Sequence, residues 1–378
     1  MEFFAGCGGT SVGFKRASND HITYRVVAGV ELDPSAARTF ERNVGAPILV
    51  SDIRDLTDPV AFSKFAEQID GPGPLLVIGC APCQGFSSHR KKDKREDPRN
   101  SLLATFAQVV VQLDPTVVVM ENVPEMLSEA HYPFFMQWKE RLMEHGYTIK
   151  IDIHNLAEFG VPQERFRALA IAAKWEQFDM PNGILHHSQF RTVRETISSL
   201  PKLEAGGVDP VDPMHITSKH RASTVELIRQ IPHDGGSRRS LPTGVGLNCH
   251  TKVDGFRDVY GRLWWDRPSV AITSRCRTPS CGRFTHPNQD RGLSVREAAL
   301  LQGFPSDYFF EGTFDDKYKQ IGNAVSPIFA QAIAEHLASE WVKDHSQARE
   351  ELLSKYQFPL KKSFSSSIAH IKKKRIAV

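Results

Sequence analysis

The chain lacks any run of about 18 apolar residues, so no transmembrane helix is expected. Its first residues, Met1-Glu2-Phe3-Phe4-Ala5-Gly6, carry no basic stretch followed by an apolar run. A signal peptide is therefore not expected. Cysteine is scarce: six in 378 residues cannot staple a chain this long. Free thiols in a reducing, cytoplasmic setting are the expectation. The net charge of +3 is too small to argue for nucleic acid by itself, so the placement of charge must decide. With 40 % hydrophobic and 24 % charged residues, wholesale disorder and a collagen-like chain are excluded. There is no internal repeat. The length suggests two or three domains at roughly 150 residues each.

What is present is a regular alternation over the first 175 or so residues. Short apolar runs at 2–4, 24–30, 47–50, 75–79, 116–120, 148–153 and 168–172 read as strands. Stretches of helical length such as 101–113 and 134–144 lie between them. This is the pattern of βαβ units around a mainly parallel sheet. Val117-Val118-Val119 is uniformly apolar, as a strand covered on both faces should be. From about 176 to 290 the chain turns rich in Pro, Gly, His and Arg, with short helices expected only at 193–200 and 224–231. Helical pattern returns at 295–302 and 328–341. Residues 361–378 hold six basic residues and no acidic one, which reads as a mobile tail. The expected division is 1–178, 179–290, 291–343 and a basic tail 344–378.

In an open α/β sheet, ligands bind beyond the carboxyl ends of the strands. The residues that follow each strand are therefore the candidates for chemistry. The first is followed by Ala5-Gly6-Cys7-Gly8-Gly9, where glycines let the backbone turn tightly and approach a ligand. The second ends at Glu31, 25 residues beyond Gly6, where an acidic residue can grip ribose hydroxyls. The third is followed by Asp52 and Ile53, a carboxylate for an adenine amino group and an apolar wall. Dinucleotide spacing would need a glycine at position 11, but Ser11 stands there, which favours a different nucleoside ligand.

The fourth strand leads into Cys80-Ala81-Pro82-Cys83, and the fifth into Glu121-Asn122-Val123-Pro124. A thiol can act as a nucleophile where its thiolate is favoured, and a nearby carboxyl can protonate or hydrogen-bond a substrate. The loop after Cys83 is basic: Arg90, Lys91, Lys92, Lys94, Arg95 and Arg99 outnumber Asp93, Glu96 and Asp97. That suggests a polyanion. Cys80 and Cys83 could instead form a redox pair or half a zinc site. The surrounding order is not thioredoxin-like, and Cys276 and Cys281 are loosely spaced for the other half, so no metal is expected. Cys80 reads as a small buried side chain.

These segments resemble the DNA (cytosine-5) methyltransferases. Phe4 to Gly9 resembles that family's cofactor motif, Gly79 to Ser87 its Pro-Cys loop, and Glu121-Asn122-Val123 its acidic motif. Gln163-Glu164-Arg165-Phe166-Arg167 fits its Gln-x-Arg-x-Arg pattern. Arg296 to Ala299 with Gln302 to Pro305, and Gly322-Asn323-Ala324-Val325, resemble its two late motifs. The order is the family's throughout. The resemblance implies a Rossmann-like α/β domain using S-adenosylmethionine, with a smaller, loop-rich target-recognition domain at about 179–290. It implies that Phe4, Gly6, Gly8, Gly9, Glu31, Asp52, Ile53, Asn323 and Val325 surround the cofactor. It implies Cys83 as nucleophile on a flipped cytosine, Glu121 at the cytosine edge, and Arg165 supporting the activated ring.

Double-stranded DNA is the implied partner of a bacterial restriction-modification or orphan enzyme; any cognate restriction endonuclease would act separately, and a monomeric, cytoplasmic, nucleoid-associated enzyme is a further expectation. Transfer RNA is the alternative acceptor; a silent DNA-binding protein and a nicotinamide dehydrogenase are weaker readings. Arg238, Arg239, Arg275, Arg277 and Arg283 are candidates for phosphate or guanine contacts. His186-His187 and Trp264-Trp265 are expected to serve packing or the surface. The chain departs from the family in opening almost inside the cofactor motif, and in placing Glu2 where Asp is usual.

Overall fold

The structure is a computed structural model and describes residues 1–69, 71–82, 102–242, 245–246, 258–345, 354, 356–361 and 364. Seven strands form the main sheet: β1 (Glu2–Phe3), β2 (Gly29–Glu31), β3 (Ile48–Val50), β4 (Leu76–Gly79), β5 (Val117–Asn122), β6 (Thr148–Asn155) and β8 (Phe166–Ala173). Their order is β3-β2-β1-β4-β5-β8-β6. The first five run parallel, while β8 is antiparallel to both its neighbours. A short parallel pair joins β7 (Gln163–Glu164) to β9 (Ser269–Val270). The strand order reverses between β1 and β4. Their carboxyl ends therefore flank the crevice in which ligands of such sheets sit.

Local chemistry sets the helices. The helix α1 (Gly9–Arg16) starts directly after β1 with Gly8 left-handed at φ 86°. The next, α2 (Pro34–Val44), is capped by Asp33, whose carboxylate accepts from Ser35 N at 2.9 Å, and ends at left-handed Gly45. Then follow α3 (Pro59–Ala66), α4 (Leu102–Leu113), α5 (Tyr132–Met143), α6 (Val193–Ile197) and α7 (Ala222–Arg229). The chain returns through α8 (Val295–Gln302), α9 (Phe314–Asn323) and α10 (Pro327–Trp341).

Both sheet faces are covered, which explains the uniformly buried β5. On one face Leu103, Phe106, Phe135 and Trp138 of α4 and α5 pack over Val118, Met120 and Ala170. On the other, Phe14 of α1 and Phe329, Ile333 and Leu337 of α10 pack over Val117, Val119 and Ile171. The close approach of α1 and α10 needs Gly13, where an added Cβ would stand 2.4 Å from Pro327 O. A third apolar cluster joins Val193, Ile197, Leu263, Ile272 and Phe284 of the middle segment to Phe40, Phe304 and Tyr318.

Two expectations differ from the structure. The apolar run 24–30 contributes only Gly29–Glu31, because β1 pairs through Glu2 and Phe3 alone and leaves 24–28 no ladder partner. Of the stretch 361–378, expected to be a mobile tail, residues 361 and 364 are described, and Phe364 is buried. Leu360 bridges to Ser128, and Phe364 is 1 % exposed against the sheet. The apolar residues Tyr356, Phe358 and Leu360, spaced by two, pack on the same cluster.

The first strand carries a buried carboxyl. Glu2 is 2 % exposed and accepts hydrogen bonds from Ser11 N at 3.1 Å and from the Ser11 hydroxyl. Burial pushes its carboxyl up from 4.5 to about 7. The folded chain thus holds a proton there that the unfolded chain has released. Glu2 therefore costs stability progressively as pH rises from 4.5 to about 7, and the full cost persists above that. Glu2→Gln is expected to flatten this part of the stability profile, measured as urea midpoints between pH 5 and 8. A profile unchanged by the substitution would contradict the assignment.

Candidate functional site

The residues after β1 form a tight turn. Phe4 and Gly6 both have φ 53° and Gly8 has φ 86°. A bulky side chain at positive φ is costly. Phe4 is held there by its ring against Phe106, at 6.1 Å between centroids, and by Ala5 N donating to Val30 O at 3.0 Å. Glu31, at the end of β2, reaches this turn: Gly6 N donates to its Oε2 at 2.8 Å, while Asp33 N donates to Oε1 at 2.8 Å. Ile53 is buried beside β3. Asp52 caps the turn that follows, accepting from Arg54 N at 2.9 Å, and the Arg54 guanidinium lies 2.6 Å from its Oδ2. The hydrogen bonds from Arg54 hold the Asp52 carboxyl below the usual range.

The far end of the chain closes on this turn. An added Cβ on Gly9 would stand 2.4 Å from Val325 O, so only glycine admits the segment 324–325 so close. Val325 is buried and Asn323 is exposed. A buried amide relay fixes that segment. Ile272 N donates to Gln163 Oε1 at 2.9 Å, Gln163 Nε2 donates to Gln302 Oε1 at 2.6 Å, and Gln302 Nε2 donates to Ala324 O at 2.6 Å. Tyr308 donates its buried hydroxyl to Cys7 O, tying α8's following loop to the first turn.

The ends of β4 and β5 lie side by side. Asn122 Nδ2 donates to Ala81 O at 3.1 Å and its Oδ1 accepts from Val123 N at 2.8 Å. This amide fixes the backbone immediately before Pro82 and Cys83. Cys83 itself, and the basic loop 88–99, lie outside the described residues. Burial pushes the Cys80 thiol well above its ordinary range, and Glu121 adds to the effect, so Cys80 stays protonated. All four described cysteines are free thiols. Among the described residues no group of three or more His, Cys, Asp or Glu could hold a metal ion.

Glu121 is 8 % exposed and pairs with Arg167, Nε to Oε1 at 2.8 Å. Leu169 lies opposite Glu121 across the antiparallel β5–β8 ladder, and Arg167 is two residues earlier on the same face. Arg165, expected beside the acceptor ring, is buried and bonded to two backbone carbonyls. It donates through Nη1 to Ile272 O at 2.5 Å and through Nη2 to Gly322 O at 3.1 Å. Both arginines belong to the Gln-x-Arg-x-Arg run, but the one brought to Glu121 is Arg167. Sequence reasoning missed Arg167, Asn122 and Gln163. The strand alternation shared by Glu121 and Arg167 was the signal that could have found the first of these.

In the middle segment, Arg283 is 6 % exposed. It donates to Gly235 O and Arg262 O at 2.8 and 2.7 Å and lies over the Trp264 ring at 4.0 Å. Arg277 pairs with Asp315 at 2.8 Å. Arg283 therefore holds this segment together and is not presented to a ligand, whereas Arg275 is exposed. Trp265 is buried under Arg194, and His186 and His187 are exposed around a short turn.

The strand-end cluster stands at one end of the sheet. A cavity of about 650 Å³ lies at the other, lined by Met1, Tyr24, Leu75, Leu76 and Trp341, and contains none of these groups. No helix among the described residues is long and apolar enough to cross a membrane.

The site thus combines an α/β sheet with a glycine turn, two carboxylates at successive strand ends and a closing segment from the far end of the chain. Comparison with known proteins identifies its class. The sequence model of the C-5 cytosine-specific DNA methylases matches residues 1–339, and the chain belongs to that family. It is 32 % identical to the type II methylase M.HgiDII of Herpetosiphon aurantiacus, over 89 % of this chain and 94 % of that protein. It is 33 % identical to the type II methyltransferase M1.HphI of Haemophilus parahaemolyticus, over 89 % and 85 %. The fold is similar to the crystal structure of a chain encoded within an Escherichia coli prophage, with TM-score 0.63, 23 % identity, and coverage of 90 % and 99 %. The protein is thus a cytosine-5 methylating enzyme.

Proposed function

We propose that the chain methylates C5 of one cytosine within a short duplex DNA sequence, using S-adenosylmethionine, as the modification enzyme of a type II restriction-modification system. The observation that carries this reading is the convergence of the glycine turn, Glu31, the Asn122-anchored approach to Cys83, and the Glu121–Arg167 pair on one end of the sheet. The relatives named as type II methylases and methyltransferases support the biological setting. A separately acting endonuclease and a monomeric, cytoplasmic enzyme complete the reading.

The residues fit the cofactor. Gly9 lets the closing segment at Val325 O approach the turn, and Glu31 is held with both oxygens on backbone N–H groups beside it. Glu31 would hold the ribose, Asp52 and Ile53 the adenine, and Phe4, Gly6 and Gly8 the turn around it. Asn323 and Val325 would close the far side. When bound, S-adenosylmethionine supplies an electrophilic methyl group.

The remaining chemistry falls to the chain. Cytosine C5 is a poor nucleophile because the ring is aromatic and electron-poor. The Cys83 thiolate adds to C6, which breaks aromaticity and makes C5 enamine-like. The Glu121 carboxyl holds the N3 edge and stabilises that electron flow. Arg167, not Arg165, is the cation next to Glu121 and faces the charge that gathers on the ring. Arg165 anchors the closing segment through Gly322 O. After methyl transfer a base removes the C5 proton and the thiol leaves C6. A stacked base exposes neither face, so the cytosine must be flipped out. Residues 88–99 would close over the backbone, and 179–290 would read the sequence.

Two results test this reading. Labelled methyl transfer is expected into duplex DNA and not into total RNA; the reverse would favour transfer RNA as acceptor. Gly9→Ala is expected to weaken cofactor binding about 10-fold or more, because overpacking against Val325 O costs roughly 1–3 kcal/mol. Calorimetric titration with the cofactor measures it, and unchanged affinity would remove Gly9 from the pocket.

A further inference from the structure

The carboxyl-terminal segment lies beyond residues 1–339, the part matched by the family. It nonetheless contacts the catalytic end of the sheet at two places. Leu360 N donates to Leu127 O at 2.8 Å, and Glu129 N donates to Leu360 O at 3.3 Å. Leu360 thus fastens the stretch that follows Glu121-Asn122-Val123-Pro124. Phe364, 1 % exposed, packs its ring against Phe166 at 5.4 Å and Tyr356 at 5.7 Å. Phe166 opens β8 between Arg165 and Arg167. Side chains alternate along a strand, so Phe364 backs β8 on the face opposite Arg167. The clusters agree: Phe166 and Phe364 pack with Met120 and Ala168, whereas Leu169, on the Arg167 face, packs with Val119. Ser354 adds a hydrogen bond to Asp152 on β6 at 2.7 Å.

We propose that the described residues 354, 356–361 and 364 act as a strap that positions the Glu121–Arg167 pair, with Leu360 and Phe364 as its positioning residues. The strap acts from behind the pair, with Leu360 bonded to the backbone at 127 and 129 and Phe364 on the face of β8 opposite Arg167. It holds the two strands that carry the pair, β5 through 127–129 and β8 through Phe166, in one fixed relation. Apart from the placement of the strands, which is structural, the consequence for catalysis rests on the function proposed above.

The test compares Phe364→Ala and Phe364→Leu in the full chain by two readouts. Amide exchange needs no substrate. In Phe364→Ala it is expected to rise at 121–129 and 166–168 while 29–31 and 48–53 keep their protection. Steady-state transfer to DNA is expected to lose about 10- to 100-fold in kcat with the KM for S-adenosylmethionine within roughly twofold, as a displaced catalytic pair should. Phe364→Leu, which refills the site with an apolar side chain, is expected to restore most of both. Should Phe364→Ala not fold, Phe364→Leu against wild type carries the same comparison with smaller shifts. Exchange that rises equally throughout the sheet, or local loosening with kcat unchanged, would overturn the strap. A wild-type chain that transfers no methyl to DNA would sink the proposed function instead, and the exchange pattern would still decide whether the strap holds the two strands.

Discussion

Cys83→Ser is expected to abolish methyl transfer, lowering the initial rate on the order of 10³-fold or more while leaving cofactor binding intact. A serine hydroxyl is far less acidic than a thiol and adds poorly to C6. The neighbouring Cys80 cannot substitute, because burial keeps its thiol protonated. The backbone leading to Cys83 is held by Asn122 through Ala81 O, so the exchange of one sulfur for oxygen leaves the frame undisturbed. Initial rates with labelled cofactor check the first part, and calorimetric titration the second. A Cys83→Ser enzyme with full activity would exclude the covalent route.

The second large effect concerns the fold. Arg291→Ala is expected to destabilise the protein by about 3–5 kcal/mol, the range found when one partner of a buried ion pair is removed. Arg291 is fully buried and grips Glu297 with both terminal nitrogens, at 2.8 and 2.7 Å. Glu297 also closes the capping box of α8, accepting from Ser294 N at 2.8 Å. Burial by itself would raise the Glu297 carboxyl; the Arg291 charge overcomes this and holds it at about 2. Its contribution is therefore complete above pH 4.5 and lost as pH falls towards 2. The gap in urea midpoint between wild type and Arg291→Ala should narrow as pH falls from 7 to 4, because the orphaned Glu297 can then take up a proton. A replacement of both partners, Arg291→Met with Glu297→Leu, should cost less than Arg291→Ala. An Arg291→Ala midpoint equal to wild type would contradict the account of this network.

Much of the site was legible because α/β sheets put their chemistry where strands end, and each strand end here carries a chemically distinctive residue. Glu31, Glu121 and the glycine turn could be located from the position of the preceding apolar run. Contacts between distant segments could not. Whether Arg165 or Arg167 meets Glu121 depends on the β5–β8 register, which a single sequence does not display. The amide relay from Gln163 through Gln302 to Ala324 spans three elements with no periodic trace. Arg283 reads as a surface cation, yet it is buried against Trp264 and backbone carbonyls. The alternation of Tyr356, Phe358 and Leu360, which docks that segment on the sheet, was visible in the sequence but stood unread beside the lysines that follow it.

The chain belongs to a family that methylates cytosine at C5 in DNA. Incubating it with unmethylated genomic DNA and S-adenosylmethionine, followed by bisulfite sequencing, tests that activity directly. Conversion-resistant cytosines are expected at one position within one short recurring sequence, absent when Cys83→Ser replaces the wild type. Complete conversion of every cytosine, with the cofactor bound, would contradict that activity.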